Sequence, residues 1–225
     1  MSALAFDTET TGFKEPVKII EAAWARLDSL VDLYPKEFWE CRFDPQRSIE
    51  FGAMAAHHIT NKDLEGKPLS ETFSLPEGVD YLIGHNVDYD WGVIGKPPLR
   101  RICTLALSRL VWPQMDSFSL GAMVYMLEGT KATALLKDAH SAAADVDLVV
   151  LLLKHIVPNL PGGITTWEEL WFASEAARIP EIMTFGKHKN MLIKDVPLDY
   201  IHWLIKQPDL EPYLEIALKR RLGRA

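Results

Sequence analysis

The chain has 225 residues, 48% hydrophobic and 24% charged, which suits one ordinary domain with a small appendage and excludes disordered and fibrous classes. Cys41 and Cys103 lie far apart in no metal-ligand spacing, so neither a disulfide framework nor a zinc site is implied, and a reducing, cytoplasmic compartment fits. The net charge of −7 has the wrong sign for a protein that coats nucleic acid passively, but suits one whose site must be acidic to hold cations.

Residues 2–6 form a short apolar run, too short for a signal-peptide core and without a basic leader; they predict a buried strand running out at Asp7. Further strands are expected over 18–27 and 38–43, which are rich in Ile, Trp and Phe, and over 81–83 and 101–103. Helical patterns occupy 104–111, 117–127 and 142–156, the first two opened by Thr or Ser. The longest apolar run, 148–153, is far short of a membrane span. Strands first and then strand–helix alternation predict an α/β fold, a mixed sheet with helices on its faces.

The run Pro158-Asn159-Leu160-Pro161-Gly162-Gly163 is the best-punctuated segment. It divides the chain into a domain over 1–157, a linker over 158–164 and a small, mainly helical domain over 165–225. Residues 1–164 carry 15 Lys/Arg against 22 Asp/Glu, whereas 165–225 carry 9 of each, so the negative excess sits in the first part.

Three acidic positions stand out. In Asp7-Thr8-Glu9 the carboxylates are two apart, which places both on one face of a strand, where they repel unless protonated or bridged by a cation. Thr10-Thr11-Gly12 then reads as a turn. Gly84-His85-Asn86-Val87-Asp88-Tyr89-Asp90 follows a strand, where sites gather in α/β sheets; here Asn86 reads as a turn residue and Asp88 as a helix cap. His140-Ser141-Ala142-Ala143-Ala144-Asp145-Val146-Asp147 opens an apolar helix, on which Asp145 and Asp147 point about 200° apart and cannot share a site.

Together these resemble the three motifs of the DEDD superfamily of 3′→5′ exonucleases: D-x-E, N-x-x-[FY]-D and H-x-x-x-x-D. They stand here as Asp7 to Glu9, Asn86 to Asp90, and His140 to Asp145. Ser141, where a tyrosine branch needs Tyr, selects the histidine branch. Closer similarity is to the exodeoxyribonuclease X family, in Ala53-Met54-Ala55-Ala56-His57-His58-Ile59-Thr60, in Ile102-Cys103-Thr104, and in Arg109-Leu110-Val111-Trp112-Pro113 with one extra residue. His58 stands where many relatives have Gly.

The resemblance implies an RNase H-like fold and metal-dependent 3′→5′ hydrolysis that releases nucleoside 5′-monophosphates, in DNA repair, recombination or proofreading. DNA is the favoured substrate; an RNA-trimming exonuclease and a silent nucleic-acid-binding module are the rivals. Asp7, Glu9, Asp90 and Asp145 are the expected ligands of two Mg²⁺ or Mn²⁺ ions, about 3.5–4 Å apart in such sites. His140, with an ordinary pKa of about 6.5, is the expected general base. Substrate contacts are assigned to Thr8, Thr10, Phe13, His57 and Asn86. Phe13 reads either as a wedge against the terminal base or as a core residue below the turn.

Residues 165–225 resemble the small domain that follows the nuclease in that family, through Thr184-Phe185-Gly186-Lys187-His188-Lys189, Asp195-Val196-Pro197, Tyr200 and Trp203-Leu204. Lys187 and Lys189 beside Phe185 read as a nucleic-acid contact or as a solvated basic turn. Residues 198–222 read as one or two helices, with Trp203 and Tyr213 assigned to the core.

Overall fold

The computed structural model describes residues 2–137 and 139–223. Five strands, β1 (Ala3–Thr10), β2 (Ile19–Leu27), β3 (Glu37–Arg42), β4 (Tyr81–Gly84) and β5 (Arg100–Cys103), form one sheet in the order β3-β2-β1-β4-β5. β2 is antiparallel to β1 and β3, while β4 is parallel to β1 and β5, so the sheet is mixed. The helices are α1 (Phe51–His57), α2 (Asp88–Val93), α3 (Thr104–Val111), α4 (Leu120–Glu128), α5 (Ala132–Leu135), α6 (Ala142–Asn159), α7 (Trp167–Arg178), α8 (Leu198–Leu204) and α9 (Pro212–Arg221). Among the described residues no helix is long and apolar enough to cross a membrane, and Cys41 and Cys103 are both free.

β1 lies at the centre because its first half is apolar on both faces: Ala3, Leu4, Ala5 and Phe6 are fully buried. α6 packs across β1 and β2 on one face, its apolar side including Val146, Val149, Leu152 and Leu153. An aromatic cluster of Phe6, Trp39, Phe43 and Phe73, with ring centroids about 6 Å apart, includes residues of β1 and β3. Gly84 ends β4 where a Cβ would lie 3.1 Å from the Phe6 carbonyl and 3.2 Å from the Val87 Cβ, so a side chain here would push its neighbours apart by a few tenths of an ångström.

β1 does not stop at Asp7. It continues to Thr10, because the antiparallel ladder with β2 pairs Glu9 with Glu21 and, after a bulge, Thr10 with Ile19. The acidic pair is therefore held within a strand. α4 begins at Leu120, capped by Ser119, whose hydroxyl accepts from Ala122 N–H, three residues later than the pattern predicts. Asp88 is not a cap: α2 has no side-chain cap, and Asp88 instead accepts from Arg101.

The chain packs as two compact units that divide between Ser174 and Glu175. The first unit thus runs beyond 158–164 into α7. There Ser174 Oγ accepts from Cys103 N–H at 2.8 Å, and Glu168 and Trp171 engage Arg100 of β5. The second unit has its own core of Met183, Ile193, Ile201, Leu204, Leu214 and Leu218. Trp203 is not part of that core; it is 55% exposed.

Candidate active site

Strand alternation puts Asp7 and Glu9 on one face of β1, and α6 brings Asp145 to the same place from its first turn. Oxygens of Asp7, Glu9 and Asp145 lie within 4.8 Å of one another. Asp90 approaches from the neighbouring edge. β4 pairs with β1 only as far as Ala5, which leaves the later backbone of β1 without that strand partner. Asp90, 4% exposed, accepts from Thr8 N–H at 3.1 Å and from Thr8 Oγ1 at 2.6 Å. One carboxylate oxygen therefore takes over the strand's role and is fixed beside Asp7. Asp147 is exposed and takes no part.

The electrostatics follow from burying like charges. The Asp7 carboxyl is held far above its usual range, first by burial and then by the charges of Asp90, Asp145 and Glu9. Burial, followed by Asp145, pushes Glu9 up to about 8. Burial pushes Asp90 up to about 7, against the opposing Thr8 hydrogen bonds. Asp145 is raised by burial and partly relieved by His140. Each group resists ionisation unless a cation shares the site, and an all-oxygen donor set matches a hard divalent ion.

His140 is exposed, with a left-handed backbone at φ 67°, and its N–H points to Asp145 Oδ1 at 3.4 Å. Ser141 caps α6 by accepting from Ala144 N–H. The base candidate thus stands at the solvent rim of the carboxylates, on backbone anchored to one of them.

Beside the cluster lies a cleft of about 300 Å³ whose walls include Glu9, Thr10, Phe13, Ala53, His57 and Tyr89. Phe13 is 84% exposed, which rejects the core reading, and its ring meets Tyr89 edge-on at 5.6 Å. The Thr10 and Tyr89 hydroxyls share a 2.7 Å hydrogen bond. Gly12, at φ 128°, lets the turn close against the Glu50 carboxylate, which accepts from Lys14 N–H at 2.8 Å. His57 accepts from Ile59 N–H at 3.0 Å through Nδ1, so its proton sits on Nε2, which is buried near the Thr10 backbone. Burial lowers the His57 pKa and keeps the ring neutral.

Not every expected contact converges. Asn86, left-handed at φ 73°, lines a different cleft of about 380 Å³ with His85, Arg109 and Phe118. The Thr8 hydroxyl is committed to Asp90.

Glu21 escapes the motif reading. It faces Glu9 across the β1–β2 ladder and is 7% exposed. Its carboxylate accepts from Arg42 Nε at 2.8 Å and from Ala142 N–H, at the start of α6, at 2.8 Å. An acid in the middle of the apolar run Ile19-Ile20-Glu21-Ala22-Ala23 is the sequence signal that could have found it.

Residues 4–153 match the RNase T family, described as exonuclease. The chain is 30% identical over 190 residues to exodeoxyribonuclease 10 of Escherichia coli (strain K12), covering 79% of this chain and 81% of that protein. It is 27% identical over 236 residues to the DNA polymerase III epsilon subunit of Buchnera aphidicola, covering 94% and 93%. A structure of exonuclease X with 5′-overhanging duplex DNA superposes with a TM-score of 0.61 at 26% identity, covering 76% of this chain and 99% of that one. A zinc-bound E. coli exonuclease I–single-stranded DNA complex shares the fold, with a TM-score of 0.59 at 18% identity over 80% of this chain and 43% of that one. From its motifs, its fold and these likenesses, the chain belongs to the RNase T family of exonucleases.

Proposed function

We propose that the chain is a 3′→5′ exodeoxyribonuclease that works with a pair of divalent cations, Mg²⁺ or Mn²⁺, and releases nucleoside 5′-monophosphates. The observation that carries this reading is the convergence of Asp7, Glu9 and Asp145, with Asp90 pinned alongside by Thr8. Exonucleases of this family depend on divalent metal, and the acidic cluster suits such an ion. The relatives named for acting on DNA, and the neighbour solved with a 5′-overhanging duplex, support DNA as the substrate. Cytoplasmic residence belongs to the same reading, and the two free cysteines support it.

Asp7, Glu9, Asp90 and Asp145 would hold the cations, which when bound would lower the pKa of a water and stabilise charge on the leaving oxygen. Phe13, exposed at the mouth of the cleft, stacks against the terminal base, and Thr10 orients the terminal sugar. His140, exposed at the rim, takes a proton from the attacking water. The water oxygen bonds to phosphorus as the bond to the 3′ oxygen breaks, and the 3′ oxygen leaves with a proton from solvent.

The test uses DNA and RNA oligomers labelled at either end, single- and double-stranded, with Mg²⁺ or EDTA. Release of a labelled mononucleotide from the 3′ end of DNA, abolished by EDTA, is the expected result. Internal cuts, release from the 5′ end, or faster loss of RNA would overturn it. His140→Ala is expected to cut turnover about 10²–10⁴-fold, the range for a lost general base. The Mn²⁺ midpoint for activation should not move; a large shift would make His140 part of the metal site instead.

A further inference from the structure

We infer that the second compact unit carries a separate binding surface for single-stranded nucleic acid, formed by the turn 184–190 and the face of α8 beside it. The inference rests on the exonuclease reading for its biological sense, but its physical basis lies wholly within residues 175–225. Charge is the first observation. Residues 175–225 carry 9 Lys/Arg against 7 Asp/Glu, whereas residues 1–174 carry 15 against 24. A polyanion is therefore attracted to the second unit and repelled by the bulk of the first, its cation-filled site aside.

The second observation is a row of rings. The His188 ring meets Tyr200 edge-on at 4.6 Å, and Tyr200 meets Trp203 at 5.4 Å. Trp203 is 55% exposed and Phe185 44% exposed, although the unit has a core of its own in which to bury apolar groups. The turn bearing these groups is built. Lys189 N–H donates to Gly186 carbonyl at 3.1 Å, and Asn190 N–H donates to Met183 carbonyl at 2.9 Å. Gly186, at φ 75°, lies where a Cβ would come within 2.7 Å of the Tyr200 hydroxyl, so the backbone presses directly onto the ring row.

Lys187 and Lys189 flank His188 on this turn, and both are exposed. Exposed lysines on the same turn as exposed Phe185, with Trp203 exposed on α8, match the alternation of phosphate and base along a single strand, whose bases are free to stack. A duplex hides its base faces and would use only the lysines. The surface thus selects an unpaired strand by stacking and holds it by charge, with no need for sequence readout.

The test measures binding by the full chain, in EDTA so that no substrate is consumed. A fluorescent single-stranded oligonucleotide is titrated and its anisotropy followed, for the native protein, Trp203→Ala/Phe185→Ala and Lys187→Ala/Lys189→Ala. The aromatic pair is expected to weaken binding at least about tenfold, the scale of one lost base stack, and the lysine pair several-fold through lost phosphate contacts. The lysine pair should also flatten the salt dependence by about 1.4 in log–log slope, at about 0.7 per lost phosphate contact on a single strand. Hydrolysis of a mononucleotide p-nitrophenyl ester with Mg²⁺, too small to span two surfaces, should be unchanged in every variant. Loss of ester hydrolysis by the native protein would count against the exonuclease reading and leave the anisotropy result intact. Unchanged anisotropy in both pairs overturns the surface, as does equal weakening for single strand and duplex in the aromatic pair. A native protein that sediments as a dimer and becomes monomeric in the aromatic pair also overturns it, since a second copy would then be the occupant. Lys187→Glu/Lys189→Glu, at exposed positions, supplies a folded variant if an aromatic truncation fails to fold.

Discussion

Asp7 shows at a single residue how a site can work against its own fold. Its carboxyl is raised by burial and by its acidic neighbours, so the metal-free protein is strained there. Asp7→Asn keeps the shape and removes the charge. It should abolish turnover, and at pH 8 in EDTA it should melt higher than the native protein, by about 2–4 °C for each kcal/mol of relieved repulsion in a chain of this size. Calorimetry in EDTA with a nuclease assay in Mg²⁺ checks both halves; a lower melting temperature would mean that Asp7 is structural. Phe13 presents the opposite case, 84% exposed and free of core duties. Phe13→Ala should leave stability within about 0.5 kcal/mol, as for ordinary surface changes, while raising KM for oligonucleotides several-fold. A stability loss with unchanged KM would return Phe13 to a packing role. The carboxylates were legible because they stand in motifs of fixed residue types at fixed spacing. Trp203 was not, because composition cannot tell an aromatic that fills a core from one left at a surface.

The elements show where local pattern ends and tertiary pairing takes over. The apolar starts of β1 and β4 were readable, but the extension of β1 through Thr10 depends on its ladder with β2, which no local window contains. α1 was missed because Phe51-Gly52-Ala53-Met54-Ala55-Ala56-His57 is short, contains Gly, and buries only His57, so it has no apolar stripe to read. It ends at His58 in a left-handed conformation, a position glycine fills more cheaply. Glu21 joins two elements, since one carboxylate ties β2 to the first residue of α6. Glu21→Ala leaves the Ala142 N–H and Arg42 without their acceptor. It should cost about 2 kcal/mol, the scale of a lost charged hydrogen bond, and lower turnover at least tenfold by loosening the turn that aims Asp145. Glu21→Gln keeps an acceptor for Ala142 N–H and should recover much of the stability. Urea melts alongside kcat and KM test this. If Glu21→Ala unfolds more readily but turns over normally at low temperature, the residue supports the sheet and not the site.

For the whole molecule, the raised carboxyls make stability a function of pH and of metal together. Glu9 at about 8 and Asp90 at about 7 lie above the ordinary values of about 4 that they regain on unfolding, so folding favours their protonated forms. Their contribution to stability is complete at acid pH below those ordinary values and is lost as pH rises through about 7 and 8. A bound cation reverses the balance by favouring the ionised forms, but at low pH it must first displace protons. The rise in melting temperature caused by Mg²⁺, relative to EDTA at the same pH, should therefore be small at pH 5.5 and grow between pH 6.5 and 8.5. Taking the difference between the two conditions removes groups remote from the site, whose titration is common to both. Asp7→Asn/Asp145→Asn, with half the donors gone, should show little metal-dependent rise at any pH. A metal effect in the native protein that stays constant across this range would mean that cations bind away from these carboxyls.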